Sequence, residues 1–368
     1  MSMRLLSSLS ARTAVWVFLA ILNSACSTGA GVSTAIDIES PAFSPDGKTL
    51  LFDFCKGSQC DLVAYSLEEQ QFSRIVPVEE GFRFSSASMA NHPNLLAGEL
   101  RYRKAEFTAY PQIVLIDLDS NTYRRLTNDP SHKYGPSLSF DDKSVAFIQS
   151  HRQRTWSSGD PRATGWDIHI LDIASGANTR ATSFCFYGLS RPFIAPDNGD
   201  LIFSGEGPMC NYPEPGVASG KKDYKEYKER FGYDKIVRLG PMRKRLEPWI
   251  QTDGRHSSSP RVARNGDVLF TSRTDLTDGI RTGGYYNYDI FLKRGEEIRR
   301  LTWLKSFIEG IALSPNSAYA AYVSDSSRKK EFSLWLLNID TGESRQVDLA
   351  ALSSAIESVP VRRMAGAQ

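Results

Sequence analysis

One pattern recurs along this chain and limits what it can fold into. "SPAFSPDGKTLLFDF", Ser40 to Phe54, sets a Pro-Asp-Gly turn between two apolar runs. Pro45 presets φ, Asp46 and Gly47 complete the turn, and Ala42 and Phe43 face Leu50 to Phe52, so the stretch predicts a β-hairpin. Similar segments follow at intervals of about 45 to 70 residues, the range of propellers and arrays. They are "SSASMANHPNLLAGEL" from Ser85, "GPSLSFDDKSVAFIQS" from Gly135, "RPFIAPDNGDLIFSG" from Arg191, "SPRVARNGDVLFTSR" from Ser259 and "GIALSPNSAYAAYVSD" from Gly310. After each comes a second hairpin, such as "DLVAYSLEEQQFSRIV" from Asp61 or "DIFLKRGEEIRRLT" from Asp289, in which an apolar strand, usually opened by Asp, leads through a turn to a short polar strand.

Four strands per copy and six copies follow. A four-stranded meander has two apolar faces and cannot bury both alone, so neighbours must stack, and radial closure removes the exposed ends. The expected fold is all-β, a six-bladed β-propeller with four-stranded antiparallel blades over 36–349. Phe52, Phe147, Phe203, Phe270 and Tyr322 hold equivalent places and should pack between blades; Gly98 is the exception.

These repeats resemble those of TolB-type propellers (WD40-like, PD40-type), whose units carry S-P-D-G-K and then a D-I-Y-x-x-D-x-x-x-G-x-x-R-x-L-T strand pair. "SPDGK" stands at Ser44 to Lys48, "LIDLDSNTYRRLTND" at Leu115 to Asp129 and "WDIHILDIASGANTRAT" at Trp166 to Thr182. The resemblance spans about residues 36 to 348. It does not extend to the N-terminal domain that TolB proteins carry, since only Ser27 to Ile36 stand in that place, so a role in the Tol translocation cycle is not implied.

The first 25 residues differ from the rest. Arg4 and Arg12 precede an apolar run, Ala14 to Leu22, that is short for a membrane span and ends in small residues, as a signal peptide does. Leu22-Asn23-Ser24-Ala25-Cys26 resembles a lipobox with its Leu one place further out. Lipidation would fall on Cys26 and anchor the chain to the membrane, and Ser27 matches the outer-membrane sorting class. The alternative is an ordinary cleavage site after Ala25. Residues 26–35 read as a linker, and the alanine-rich stretch 350–368 reads as a C-terminal tail, helical on the rim or disordered.

Charge and cysteine content narrow the setting. The whole chain has 44 Lys and Arg against 42 Asp and Glu. The two arginines of the leader account for the difference, and a formally neutral remainder argues against nucleic-acid binding. Cys55, Cys60, Cys185 and Cys210 form an even set in an exported chain. Cys55–Cys60 and Cys185–Cys210 are the expected disulfides, on the face where strands two and three of each blade connect.

The same face carries the long connections, Ser150 to Gly165, Gly205 to Tyr233 and Ser272 to Tyr288, and so is the expected binding face. Tyr224, Tyr227 and Phe231 make a one-sided helical stripe in the second of them. Trp156, Tyr285 and Tyr286 are the candidate aromatic contacts. Aligned blade starts put Arg83, Lys133 and Arg191 near the channel mouth with Glu39 and Glu309, and His132 and His256 in equivalent places. Mixed charge there suits an anion or a peptide carboxylate.

No H-E-x-x-H, G-x-S-x-G or phosphate loop is present, so no catalytic residue, metal or cofactor is assigned. The recurring Asp of the third strand reads as structural, because catalysis needs unique positions. The expectation is a monomeric, non-catalytic binding or scaffold module in the bacterial cell envelope, periplasmic and anchored to the outer membrane, with an envelope protein, peptide or glycan as partner. The alternative is a carbohydrate-active enzyme, hydrolase or lyase, using Glu39 and Glu309 at the channel mouth.

Overall fold

The computed structural model describes residues 36–57, 59–102, 110–155, 161–208, 235–240, 246, 248–250, 252, 256–274, 287–304, 306–325 and 332–367. These belong to one compact unit, Ser33–Gln368. Successive strands pair antiparallel into quartets, numbered here as units in chain order. The first holds β1 (Ile36–Phe43), β2 (Thr49–Lys56), β3 (Gln59–Ser66) and β4 (Phe72–Pro77). The second holds β5 (Phe82–Ser88), β6 (Leu95–Tyr102), β7 (Gln112–Asp117) and β8 (Thr122–Arg125), and the third β9 (Lys133–Leu138), β10 (Ser144–Thr155), β11 (Pro161–Asp172) and β12 (Asn178–Arg180). In the fourth the inner strand is in two pieces, β13 (Phe186–Leu189) and β14 (Phe193–Ile194), followed by β15 (Leu201–Pro208), β16 (Lys235–Leu239) and β17 (Pro248–Ile250). The fifth is β18 (Ser257–Val262), β19 (Val268–Arg273), β20 (Tyr288–Arg294) and β21 (Glu297–Arg300), and the sixth β22 (Phe307–Leu313), β23 (Tyr319–Asp325), β24 (Ser333–Asn338) and β25 (Ser344–Gln346).

Each unit packs on the one before it, and the sixth packs back on the first, the arrangement of a β-propeller. The repeated aromatics do this work, since a flat sheet face gains most from burying a large apolar ring against its neighbour. Phe52, Phe147, Phe203, Phe270 and Tyr322 are buried. Phe52 lies with Ala321, Val323 and Leu334 of the sixth unit and so closes the ring. Phe147 packs on Ala97 and Ile113, Phe203 on Ala146 and Ile168, Phe270 on Ile202 and Ile236, and Tyr322 on Leu269 and Ile290.

Two further devices explain the repeated polar residues. In the hairpin turn, Ser44 Oγ donates to Asp46 Oδ1 at 2.5 Å while Thr49 N donates to Ser44 Oγ at 2.9 Å, and Ser139/Asp141/Ser144 and Ser314/Asn316/Tyr319 repeat the pattern. The third-strand Asp is structural, as its recurrence implied. Asp167 pairs with Arg180 at 2.5 Å and accepts from Thr182 Oγ1 and from the Phe184 and Cys185 amides. Asp289 holds Arg300, Thr302 and the Leu304 amide in the same way, and Asp61 holds Arg74. Buried charges are tolerated because each has a partner.

The connection expected at Ser150 to Gly165 is largely strand: β10 and β11 stay in register out to Thr155 and Pro161. Each added antiparallel pair satisfies further backbone groups. The tail is ordered too. A short helix, α1 (Ala350–Ala355), leads to β26 (Val361–Gly366), which pairs parallel with β4 and then with β8, joining the outer edges of the first two units. This seam is the one where Gly98 stands in place of the aromatic, and Met364 is buried in it beside Phe84, Leu96 and Tyr123. Met364→Ala should therefore lower stability by about 2–5 kcal/mol in urea unfolding, whereas Arg363→Ala, at an exposed position of the same strand, should stay within about 0.5 kcal/mol.

Candidate functional site

The inner strand of each unit borders the channel, and a β-bulge interrupts most of them at one equivalent place. Pairing shifts between Glu39 and Ala42, Ser85 and Ser88, Ser258 and Arg261, and Ile308 and Gly310. Ser40, Ser86, Gly135 and Ser259 at these points have φ of 52°, 51°, 63° and 54°. Such a residue turns its amide out of the local ladder and toward the neighbouring unit. Three of those amides are answered from the preceding unit: Ser86 N donates to Asp53 Oδ2 at 2.9 Å, Gly135 N to Glu99 Oε1 at 2.9 Å, and Ser259 N to Ser204 Oγ at 3.3 Å. Gly310 permits the last approach, since a Cβ there would lie 2.7 Å from Pro41 Cδ.

Register then gives the depth of each charge. Asp37 and Arg83 lie three residues before the bulge, level with Cys55 and Arg101 on their neighbouring strands. Glu39 stands immediately before it, and Glu309 within it. Asp53 and Glu99 face it from the second strand, and Arg191 occupies it in the fourth unit. Arg261 lies two residues past it, toward the hairpin turns.

The predicted site residues separate into committed and uncommitted groups. Lys133 is fully buried, with Nζ donating to the Asp129 and Ser131 carbonyls at 2.9 and 3.0 Å and paired with Asp129 Oδ1 at 3.0 Å. Arg191 reaches from the fourth unit to the second, where Nη2 donates to Ser86 O at 2.9 Å and Nη1 to Ala87 O at 3.3 Å. Arg83, Glu39 and Glu309, by contrast, make no hydrogen bond or ion pair among the described residues, and all three keep access to solvent. His132 is half-buried with its ring edge-on to Tyr110, and His256 is half-buried at the start of β18. Trp156, Tyr285, Tyr286, the Tyr224 to Phe231 stripe, Cys26 and Cys210 lie outside the described residues. The Cys55–Cys60 disulfide is present, and Cys185 is also disulfide-bonded.

Electrostatics bind the channel groups into one set. Burial pushes the Glu309 carboxyl up to about 7, helped by the negative charges of Glu39 and Asp37. Glu39 is raised by burial and by Asp37, against the pull of Arg101 and Arg83. Asp53 rises to about 7 through burial, against its hydrogen bond from Ser86. Arg83 is lowered by burial, opposed by Asp53, Glu39 and Glu99. The wall formed by the sixth and first units is thus acidic and accepts protons readily. Asp53, Glu99, Arg101 and Arg261 escape the sequence reading. A signal for the first two existed, because only the first two units place an acid at this inward position of the second strand, where the others have Ile148, Ser204, Thr271 and Val323.

No protein-family profile and no curated protein matches the chain. Among solved structures, TolB from Acinetobacter baumannii is 16% identical with a TM-score of 0.51, over 85% of this chain and 63% of that one. The putative TolB from Agrobacterium tumefaciens is 21% identical with a TM-score of 0.52, over 78% of this chain and 90% of that one. An oligogalacturonate lyase solved in complex with manganese is 13% identical with a TM-score of 0.50, over 84% and 80%. This chain therefore spans less than two thirds of the A. baumannii protein. The shared feature is the fold, a TolB-like β-propeller.

Glu309 yields a pH prediction. Its native carboxyl titrates near 7 against an ordinary 4.5, so the native state holds the proton more tightly and loses stability relative to the unfolded chain as pH rises from 4.5 to 7. The stability of Glu309→Gln relative to the wild type should grow between pH 5 and pH 8 in paired urea titrations; a constant difference would contradict the assignment.

Proposed function

We propose that this chain is an exported, lipid-anchored six-bladed propeller of TolB type that serves as a non-catalytic binding module in the bacterial envelope, taking a protein or peptide at the channel mouth. The observation that carries it is the contrast between charges. The recurring aspartates are paired within the scaffold, whereas Arg83, Glu39 and Glu309, on the inner strands, keep access to solvent and make no hydrogen bond or ion pair among the described residues. Uncommitted charges of both signs on a rigid ring suit a partner with complementary charges. The likeness to TolB structures supports a periplasmic setting, and the disulfides support an oxidising one. Lipidation at Cys26 would hold the module at the outer membrane.

A second reading has its own observation. Two carboxyls with raised pKa on adjacent units could act as acid and base on a glycan, and a lyase shares the fold. Photo-crosslinking in cells separates the two. A reactive residue at Tyr102, exposed beside the Arg83 level, should yield a protein adduct that a probe at Lys48, on the hairpin-turn face, does not. No protein adduct, together with turnover of oligosaccharides that is lost in Glu309→Gln, would replace binding by catalysis.

A further inference from the structure

Side chains bridge the ring at one end of the channel. At the hairpin-turn end, Arg264 of the fifth unit donates from Nη2 to Asn91 Oδ1 of the second, three units away in chain order, at 2.6 Å. Ser317 Oγ donates to Asn265 Oδ1 at 3.2 Å, and the Asn91 and His92 amides donate to Asp142 at 3.1 and 2.9 Å, so neighbouring turns are also tied together. Above this floor Arg191 crosses from the fourth unit to the second.

The lower part of the channel is cationic. Arg261 sits below the bulge, with Nε donating to Ile311 O at 2.8 Å, Nη1 to Pro260 O at 3.0 Å, and its guanidinium 5.6 Å from the centre of the Phe193 ring. Phe193 follows Arg191 by two residues in the fourth unit, and each guanidinium reaches into a unit other than its own, Arg191 into the second and Arg261 into the sixth. Asp53 and Glu99 act on Arg191, but no carboxylate among the described residues acts on Arg261. Burial and the charge of Arg191 push Arg261 down to about 9. Carbonyls and a ring face solvate a cation without neutralising it. Arg191 Nε and Arg261 Nη2 have no hydrogen-bond acceptor among the described residues.

We propose that Arg191 and Arg261 form a binding site for a small monovalent anion, chloride or a short carboxylate, at the floor of this channel. The proposal deepens the reading of the channel as a binding site by adding a second, lower subsite, distinct from Arg83, Glu39 and Glu309 at the mouth. A bound anion would neutralise Arg261, a half-buried cation on which no carboxylate among the described residues acts.

Chloride-35 NMR line broadening tests it directly on the mature chain. The wild type should broaden the chloride line, formate should relieve that broadening by competition, and Arg261→Met should lose most of it, while Arg363→Met, a control for net charge, should not. In thermal unfolding the wild type, unlike Arg261→Met, should gain about 3 °C in Tm between chloride-free buffer and about 300 mM chloride. Equal broadening in the wild type and Arg261→Met, or broadening that formate leaves unchanged, would overturn the site. If Arg261→Met fails to fold, Arg191→Gln and the formate competition on wild type give the same decision. The crosslinking result at the mouth does not depend on the floor, so either reading can fail alone.

Discussion

Burial of one sheet face against the next is the constraint on which the rest depends. A four-stranded meander exposes two apolar faces, and only a neighbour on each side removes both from water. An aromatic ring at one position per unit supplies much of that contact. Where Gly98 leaves the position without a side chain, the C-terminal strand brings Met364 into the seam and pairs the outer edges of both units. Closure is then achieved by packing between the sixth and first units, with Gly310 close against Pro41, and each quartet remains continuous in sequence.

The same geometry decides which charges are available for function. A ring of inner-strand bulges turns amides toward the preceding unit, and Asp53 and Glu99 answer two of them. Those carboxylates serve the scaffold while also setting the field in the channel. Arg83, Glu39 and Glu309 feel that field and have no such task. An acidic wall at the mouth and a cationic floor give the channel a charge gradient along its axis, from half-buried groups that solvent reaches to Arg191, which is nearly fully buried.

Much of this was legible in the residues. The Pro-Asp-Gly turns, the aromatic after each second-strand apolar run and the Asp opening the third strand are local, periodic signals, and each corresponds to a repeated contact. The C-terminal strand was not legible, because Val361 to Gly366 pairs with residues far away in sequence and carries no alternation of its own. Bulges were missed for a related reason: an extra residue in a strand leaves the composition unchanged and shows only as a change of register. Lys133 and Arg191 could be placed near the channel by aligning repeats, but whether a cation is free or held by carbonyls depends on side-chain reach, which alignment does not supply. Asp53 and Glu99 stood out only once the second strands were compared position by position.

The central claim is that Arg83, Glu39 and Glu309 at the mouth hold a partner without chemistry. The most direct measurement is the yield of the protein adduct captured in cells from Tyr102, compared between wild type and a chain carrying Arg83→Met, Glu39→Gln and Glu309→Gln, with urea unfolding to show that both are folded. The account predicts that the adduct is lost from the triple variant at equal stability and expression. An adduct of undiminished yield from the triple variant would show that these charges do not hold the partner.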